Sequence, residues 1–346
     1  MNDFIPPVGL LNFGKIGKKK KKGKTKNLYL YNICYINSSI QCLFRLEEFP
    51  KNIKNCSGGK ITDATRKLIN EMIFFDEKSN DNLNVYGIKE AMTEVDEKYK
   101  KNEPEDANEF ISNYLNAILD ETSDKLKINE IKCYDESDKE YFDNFYNKFY
   151  QKKGSSFILD LFYGILRTEN YCKHCNKYMF SIKFHAYNIL ELPIYNLIKN
   201  DDKPLNLKNI LINYTSEKMI ANRSCSKCGN KICKRTYFYT LPKCLILYFE
   251  RKDENNYIEK DIDIPLSFNF NEYLYNNKNN EKSEIIYNFK GVIYYSFIDD
   301  NYGHYTASCQ IDDKWYYFDD DTYSKGEKLF YIPYKNEYPI LLFYEK

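Results

Sequence analysis

Only three histidines and one tryptophan occur among 346 residues, so any chemistry that needs an imidazole must use His174, His185 or His304. No apolar run reaches the ~20 residues that span a bilayer; the longest strong one, 244–249, is the size of a strand. An excess of one charge is lacking too: 51 basic against 50 acidic residues leave a formal net charge of +1. That balance excludes a global field that would mark the whole chain as a binder of specific nucleic acid or of a membrane surface. The opening residues 1–14 lack a charged leader followed by a compact apolar stretch, so they do not read as a secretory signal, and the expected compartment is the cytoplasm or nucleus.

What is present is ordinary for a folded protein, with 43% hydrophobic and 29% charged residues. The 34 tyrosines and the many asparagines and lysines reflect a compositional bias, so single residues of these types carry no signal. In a reducing compartment the eleven cysteines read as ligands, nucleophiles or small buried hydrophobes in preference to disulfides.

Apolar residues recur at helical spacing over 34–46, 61–75, 85–99 and 105–122. The stretch 135–153 is polar and aromatic and admits either a loop or a helix. After residue 157 the texture changes to short apolar or alternating runs that predict strands at 236–239, 245–249, 291–297, 305–311, 315–318 and 340–344. Residues 271–284 read as a polar surface loop. The basic run Lys18 to Lys22, with Lys24 and Lys26, makes 1–26 read as a basic disordered tail or a nuclear-import signal. Helices first and strands later predict an α+β enzyme.

Three clusters carry chemistry. Cys34 stands at the first turn of a predicted helix, where free backbone N–H groups and the helix dipole favour thiolate over thiol. His304 follows Gly303 at the head of a predicted strand, and the next strand, 314–318, ends on Asp319 and Asp320; a hairpin of the two brings a carboxylate beside the ring. Cys172 and Cys175, then Cys225 and Cys228, form two Cys-x-x-Cys knuckles, a donor set for one structural zinc ion with all four positions filled by protein. Cys233 and Cys244 fall at no knuckle spacing and read as core. No organic cofactor is implied.

These segments resemble the ubiquitin-specific proteases. Asn32, Cys34, Tyr35, Asn37, Ser38 and Gln41 match the family's cysteine box, and Gly303-His304-Tyr305 with Trp315-Tyr316-Tyr317-Phe318-Asp319-Asp320 is similar to its histidine box. The zinc-bearing fingers and following strand resemble residues 162–175 and 241–251, and the similarity runs from about residue 27 to the end. Two positions depart: Tyr31 replaces the usual Gly, and Tyr29 stands where the family often has an oxyanion-stabilising Asn. The backbone N–H of Cys34, the Asn32 side chain and the Tyr29 hydroxyl are the candidate substitutes.

The resemblance implies a papain-like fold, with a helical thumb over about 27–156 and fingers and palm over about 157–346. It implies a Cys34–His304–Asp319 triad, with Asp320 behind it. It further implies a monomeric thiol hydrolase acting on ubiquitin and ubiquitinated proteins, cleaving the isopeptide bond after ubiquitin's C-terminal glycine. Residues 105–110 resemble the segment whose acids grip ubiquitin's basic tail, which assigns Asp106 and Glu109 to that tail, with Gly303 and Tyr305 lining its path. A non-catalytic ubiquitin binder on the same fold is the competing reading.

Overall fold

The structure, a computed structural model, describes residues 4–12, 14–21, 24–76, 83–127, 131–175, 178–197, 205–252, 257–275, 284–299, 302–326 and 336–346. The chain divides into two compact units, one of 1–122 with 289–345 and the other of 123–288 with 346. The expected boundary near 156 marks a change of secondary structure, but the C-terminal strands fold with the N-terminal helices.

The first unit starts with an extended segment, followed by an antiparallel ribbon of β1 (Gly14–Lys21) and β2 (Lys24–Leu30). Five helices follow: α1 (Cys34–Leu43), α2 (Glu48–Asn55), α3 (Lys60–Ile73), α4 (Tyr86–Met92) and α5 (Ala107–Thr122). The helix expected over 85–99 ends early, because the Asp96 side chain accepts from the Lys98 N–H and starts a separate 3-10 turn.

Every residue of α1 is buried, so its polar side chains need partners inside the protein. Asn37 and Gln41 of α1, with Arg45 in the turn that follows it, are spaced by four and form one edge. Asn37 Nδ2 donates to the Leu10 carbonyl at 3.0 Å, Gln41 Nε2 to that of Val8 at 2.6 Å, and Arg45 Nη1 to that of Ile5 at 2.5 Å. Ile5, Val8 and Leu10 are themselves buried. The reading of 1–26 as a disordered tail is therefore corrected: residues 5–12 are laced to α1, and 14–21 and 24–30 pair as strands. The lysine run obscured an apolar segment upstream of it.

The second unit holds α6 (Lys139–Lys148), α7 (Tyr150–Lys153), α8 (Phe157–Phe162) and α9 (Leu207–Thr215). The ambiguous stretch 135–153 is helical, and its aromatics Phe142, Phe145, Tyr146, Phe149 and Tyr150 follow the i, i+3, i+4 spacing and pack on one another. Strands β3 (Gly164–Cys172), β4 (Tyr178–Tyr187), β7 (Lys218–Ser224) and β8 (Lys231–Thr240) form a sheet in the order β4-β3-β8-β7. Two parallel pairs join β5 (Leu190–Pro193) to β9 (Cys244–Glu250) and β6 (Leu205–Asn206) to β10 (Ile262–Asp263). Of the expected polar loop 271–284, Asn271–Tyr273 is a 3-10 turn with Tyr273 buried, and 276–283 lie outside the described residues.

The first unit is completed by β12 (Ile286–Asp299), whose first residues pair with β11 (Ser267–Asn269), and by β13 (Tyr302–Ile311), β14 (Lys314–Asp319), β15 (Thr322–Gly326) and β16 (Glu337–Glu345). Their order is β15-β14-β13-β12-β16, and α1 packs on β13. This contact brings the helix that begins at Cys34 onto the strand that carries His304. Among the described residues, no helix is long and apolar enough to cross a membrane.

Deleting residues 1–12 is expected to lower the thermal midpoint markedly, since burial of an Ile, Val or Leu side chain contributes about 1.5–3 kcal/mol. Thermal unfolding of the truncated chain checks this; a midpoint equal to that of the full chain would contradict the lacing.

Candidate active site

Cys34 opens α1 without a side-chain cap, so no side chain competes for the amides at that end of the helix. The helix is anchored from outside at its start, where Asn12 Oδ1 accepts from the Ile33 N–H at 2.8 Å; within it the Ser38 hydroxyl donates back to the Cys34 carbonyl at 2.9 Å. The thiol is nearly buried, at 7% exposure. Tyr35 packs edge-on against Phe110 of α5, at 5.6 Å between centroids.

His304 Nε2 donates to Asp319 Oδ1 at 2.6 Å, which leaves Nδ1 for the thiol. Burial alone would depress the basicity of this ring, but the Asp319 hydrogen bond and then the Cys34 side chain outweigh it and push its pKa up to about 10. The imidazolium is therefore the resting form at neutral pH, as expected of a ring between a carboxylate and a sulfur that can carry negative charge. Cys34, His304 and Asp319, far apart in sequence, meet at this one place.

Asp320 stands 3.9 Å from His304 Nε2, too far for a hydrogen bond. Its backbone is left-handed, with φ 49°, and its carboxylate is held from two sides. Asn12 Nδ2 donates to Oδ2 at 2.6 Å and Asn37 Nδ2 to Oδ1 at 2.8 Å. Burial raises the Asp320 pKa to about 6 against the pull of these amides and of His304. The Leu10 N–H donates to the Asp320 carbonyl at 2.7 Å. A Cβ at Gly9 would stand 2.1 Å from the Asp321 carbonyl oxygen, so only glycine permits this approach. Sequence reasoning missed Gly9 and Asn12 because they fell in the presumed tail; the Gly9-Leu10-Leu11-Asn12 run ahead of the lysines was the available signal.

The other expected site residues are placed as follows. Asn32 adopts a left-handed backbone, φ 56°, and its Nδ2 donates to the Asn102 carbonyl at 3.0 Å, so this side chain pins a loop in place of facing Cys34. The Tyr29 side chain lies outside the described residues. Asp106 caps α5, its Oδ1 accepting from the Asn108 N–H at 2.7 Å and the Glu109 N–H at 3.2 Å. Glu109 pairs with Lys98 at 2.7 Å, and Glu105 reaches the same lysine at 3.4 Å. Asp106 is nonetheless close to the thiol's surroundings: the rings of Tyr295 and Tyr305, 4.8 Å apart, are raised above the ordinary phenol range by burial and then by the charges of Asp106 and Cys34. Gly303 is needed because a Cβ there would stand 2.0 Å from the Tyr295 ring, a reason internal to the protein.

In the second unit, the two cysteine knuckles converge. Cys172 and Cys228 Sγ are 3.5 Å apart, Cys175 and Cys225 Sγ 3.8 Å, and all four sulfurs lie within 4.8 Å of one another. Four sulfurs placed tetrahedrally at ~2.3 Å from a zinc ion stand about 3.8 Å from each other, so the donor set fits. Gly229, with φ 72°, turns the second knuckle and donates its N–H to the Cys225 carbonyl at 2.8 Å. His174 is exposed between the first two cysteines and His185 is exposed on β4.

Comparison with known proteins agrees with this geometry. Residues 25–344 match the sequence model of the family described as ubiquitin carboxyl-terminal hydrolase. The chain is 23% identical over 342 residues to the Drosophila melanogaster ubiquitin carboxyl-terminal hydrolase Usp2, covering 91% of this chain and 34% of that protein, so it spans about a third of that relative. Two solved structures share the fold. A SAGA DUB module of Ubp8, Sgf11, Sus1 and Sgf73 bound to monoubiquitin matches with TM-score 0.70 at 19% identity, covering 100% of this chain and 70% of that one. The Ubp8/Sgf11/Sus1/Sgf73 module bound to ubiquitin aldehyde matches with TM-score 0.68 at 19% identity, covering 98% and 69%.

Two outcomes follow from the geometry. Because the folded His304 pKa lies above the ordinary value of 6.5, at about 10, its charge pair stabilises the fold fully below pH 6.5 and loses that contribution as pH rises toward 10. The thermal midpoint of the wild type should fall relative to that of His304→Gln over this window. Asn37→Ala leaves the buried Asp320 carboxylate short of a donor and is expected to cost about 1.5–3 kcal/mol, read by denaturant unfolding.

Proposed function

The chain belongs to the ubiquitin carboxyl-terminal hydrolase family, and from that membership we propose that it is a cysteine-type deubiquitinase cleaving the isopeptide bond after ubiquitin's C-terminal glycine. The observation that carries the reading is the His304–Asp319 bond of 2.6 Å behind a ring that also interacts with Cys34. A triad aligned in this way is what a thiol hydrolase needs and a mere binder does not.

In the proposed reaction the Cys34 thiolate attacks the glycine carbonyl while Asp319 holds Nε2 of the imidazolium. His304 Nδ1 gives its proton to the departing lysine amine, which leaves an acyl enzyme. The now neutral ring takes a proton from the water that attacks the thioester carbonyl, and the tetrahedral intermediate expels Cys34 as thiolate, which frees ubiquitin's carboxyl end and restores the thiolate beside the imidazolium. Charge on the tetrahedral oxygen is met by the amide of Cys34 at the uncapped helix start, since Asn32 is engaged elsewhere. Asp106, with Glu105 and Glu109 around Lys98, supplies the acidic ground for a basic tail, and Gly303 and Tyr305 line its path. A nucleophilic Cys34 and a cluster of four cysteines read as metal ligands both suit a reducing compartment, which supports action in the cytoplasm or nucleus.

The four knuckle cysteines would hold one zinc ion, which when bound supplies structural cross-linking of the two knuckles and no open coordination position. Their separations of 3.5 and 3.8 Å support this assignment.

A ubiquitin probe with a reactive C-terminus should label the wild type and leave Cys34→Ala unlabelled; a correctly folded wild type that stays unlabelled would favour the binder. Asp319→Ala, which leaves the His304 ring without an orienting partner, should keep the fold and lower turnover of a ubiquitin C-terminal fluorogenic substrate by about 10²–10⁴-fold, the range for loss of positioned acid–base catalysis. Elemental analysis should find one zinc per chain, and its chelation should lower the thermal midpoint.

A further inference from the structure

The ladder between β13 and β14 stops before it reaches the catalytic pair. Its register runs from Ile311 opposite Lys314 to Ala307 opposite Phe318, so His304 and Asp319 lie beyond its last rung. Backbone pairing therefore does not set the separation of the two side chains on which the reaction depends, and something else must hold these strand ends together.

Glu337, the first residue of β16, occupies that place. It is 4% exposed, and its Oε1 accepts from the Thr306 hydroxyl at 2.9 Å and from the Tyr317 hydroxyl at 2.9 Å. Thr306 is two residues past His304 on β13, and Tyr317 is two residues before Asp319 on β14. Strand alternation thus puts each hydroxyl on the same face as its catalytic neighbour. Both donors are buried as well, Thr306 at 1% and Tyr317 at 4%. Glu337 Oε2 is also buried, and no hydrogen-bond partner among the described residues reaches it. A carboxylate half of whose capacity is unused costs free energy in a core, which makes it a poor choice for stability alone. Burial raises its pKa, the two hydroxyls and the His304 charge lower it, and Asp319 raises it, so Glu337 feels the charges of both members of the pair.

We propose that Glu337 is a positioning residue for the reaction, acting through Thr306 and Tyr317 to hold the strand ends at the spacing that keeps His304 between Asp319 and Cys34. One oxygen atom does for the two strands what a further ladder rung would do, and it does so from a third strand. The clamp needs an acceptor, so a carboxamide oxygen can replace the carboxylate oxygen while an alkyl group cannot.

The inference rests on the hydrolase reading only for its turnover readout; alkylation of Cys34 by iodoacetamide reports thiolate formation by the His304 pair without ubiquitin. Glu337→Leu is expected to lower kcat on a ubiquitin C-terminal fluorogenic substrate by about ten- to a hundred-fold, the scale of a catalytic group displaced by about 1 Å. KM should stay within about two-fold, and alkylation at neutral pH should slow in step with kcat. Glu337→Gln should recover most of both rates, and the Thr306→Val, Tyr317→Phe double variant should reproduce the loss if Glu337→Leu does not fold. A Leu or double variant with wild-type kcat and alkylation rate would overturn the proposal, as would equal losses in the Gln and Leu variants, since the charge and not the clamp would then matter. A wild type that is alkylated rapidly but cleaves no ubiquitin substrate would sink the hydrolase reading, and the clamp would still be judged on alkylation.

Discussion

The site depends on a buried carboxylate that performs no chemistry itself. Asp320, in a left-handed turn just past β14, is gripped by amides from Asn12 and Asn37, and this joint ties the end of the strand carrying Asp319 to the helix that begins at Cys34. Hydrogen bonds to a charged acceptor contribute about 1.5–3 kcal/mol each and are directional, so they fix position as well as add stability. Apolar packing and the contact of Cys42 with Cys309, 3.6 Å between sulfurs, also join α1 to the sheet, but the two amides act at the turn beside Asp319 itself.

The N-terminal segment extends that frame. Its carbonyls at Ile5, Val8 and Leu10 meet Arg45, Gln41 and Asn37 in turn, so a helix buried on all sides satisfies its polar edge with a strand-like backbone. Asn12 then bonds both the Ile33 amide and Asp320. One asparagine thereby links the start of α1 to the acidic turn, and the ribbon of β1 and β2 is inserted between that asparagine and the helix without breaking the link.

The electrostatics of the site form a graded series. Asp319, 2.6 Å from the ring, holds the proton on His304; Asp320, 3.9 Å away, adds attraction without competing for the nitrogen; Glu337, deeper still, binds the neighbouring hydroxyls. Burial depresses the basicity of the ring, and the Asp319 hydrogen bond, Cys34 and the Asp320 charge outweigh it to set the pKa near 10.

By itself the sequence determined most of the element types and the family whose motifs the chain carries. Cys34 on a helix, His304 and Asp319 on adjoining strands and the four knuckle cysteines were legible because each depends on local pattern: helical spacing, strand alternation, ligand interval. Tertiary structure alone decided that Ile5, Val8 and Leu10 are core, that the Asn32 side chain bonds the Asn102 carbonyl, and that Gly303 makes room for Tyr295. It alone placed Asn12, Asn37 and Glu337 around the triad. Those roles arise from hydrogen bonds between residues as much as 308 positions apart, and no periodicity within a window of sequence records which distant carbonyl or carboxylate a side chain will meet.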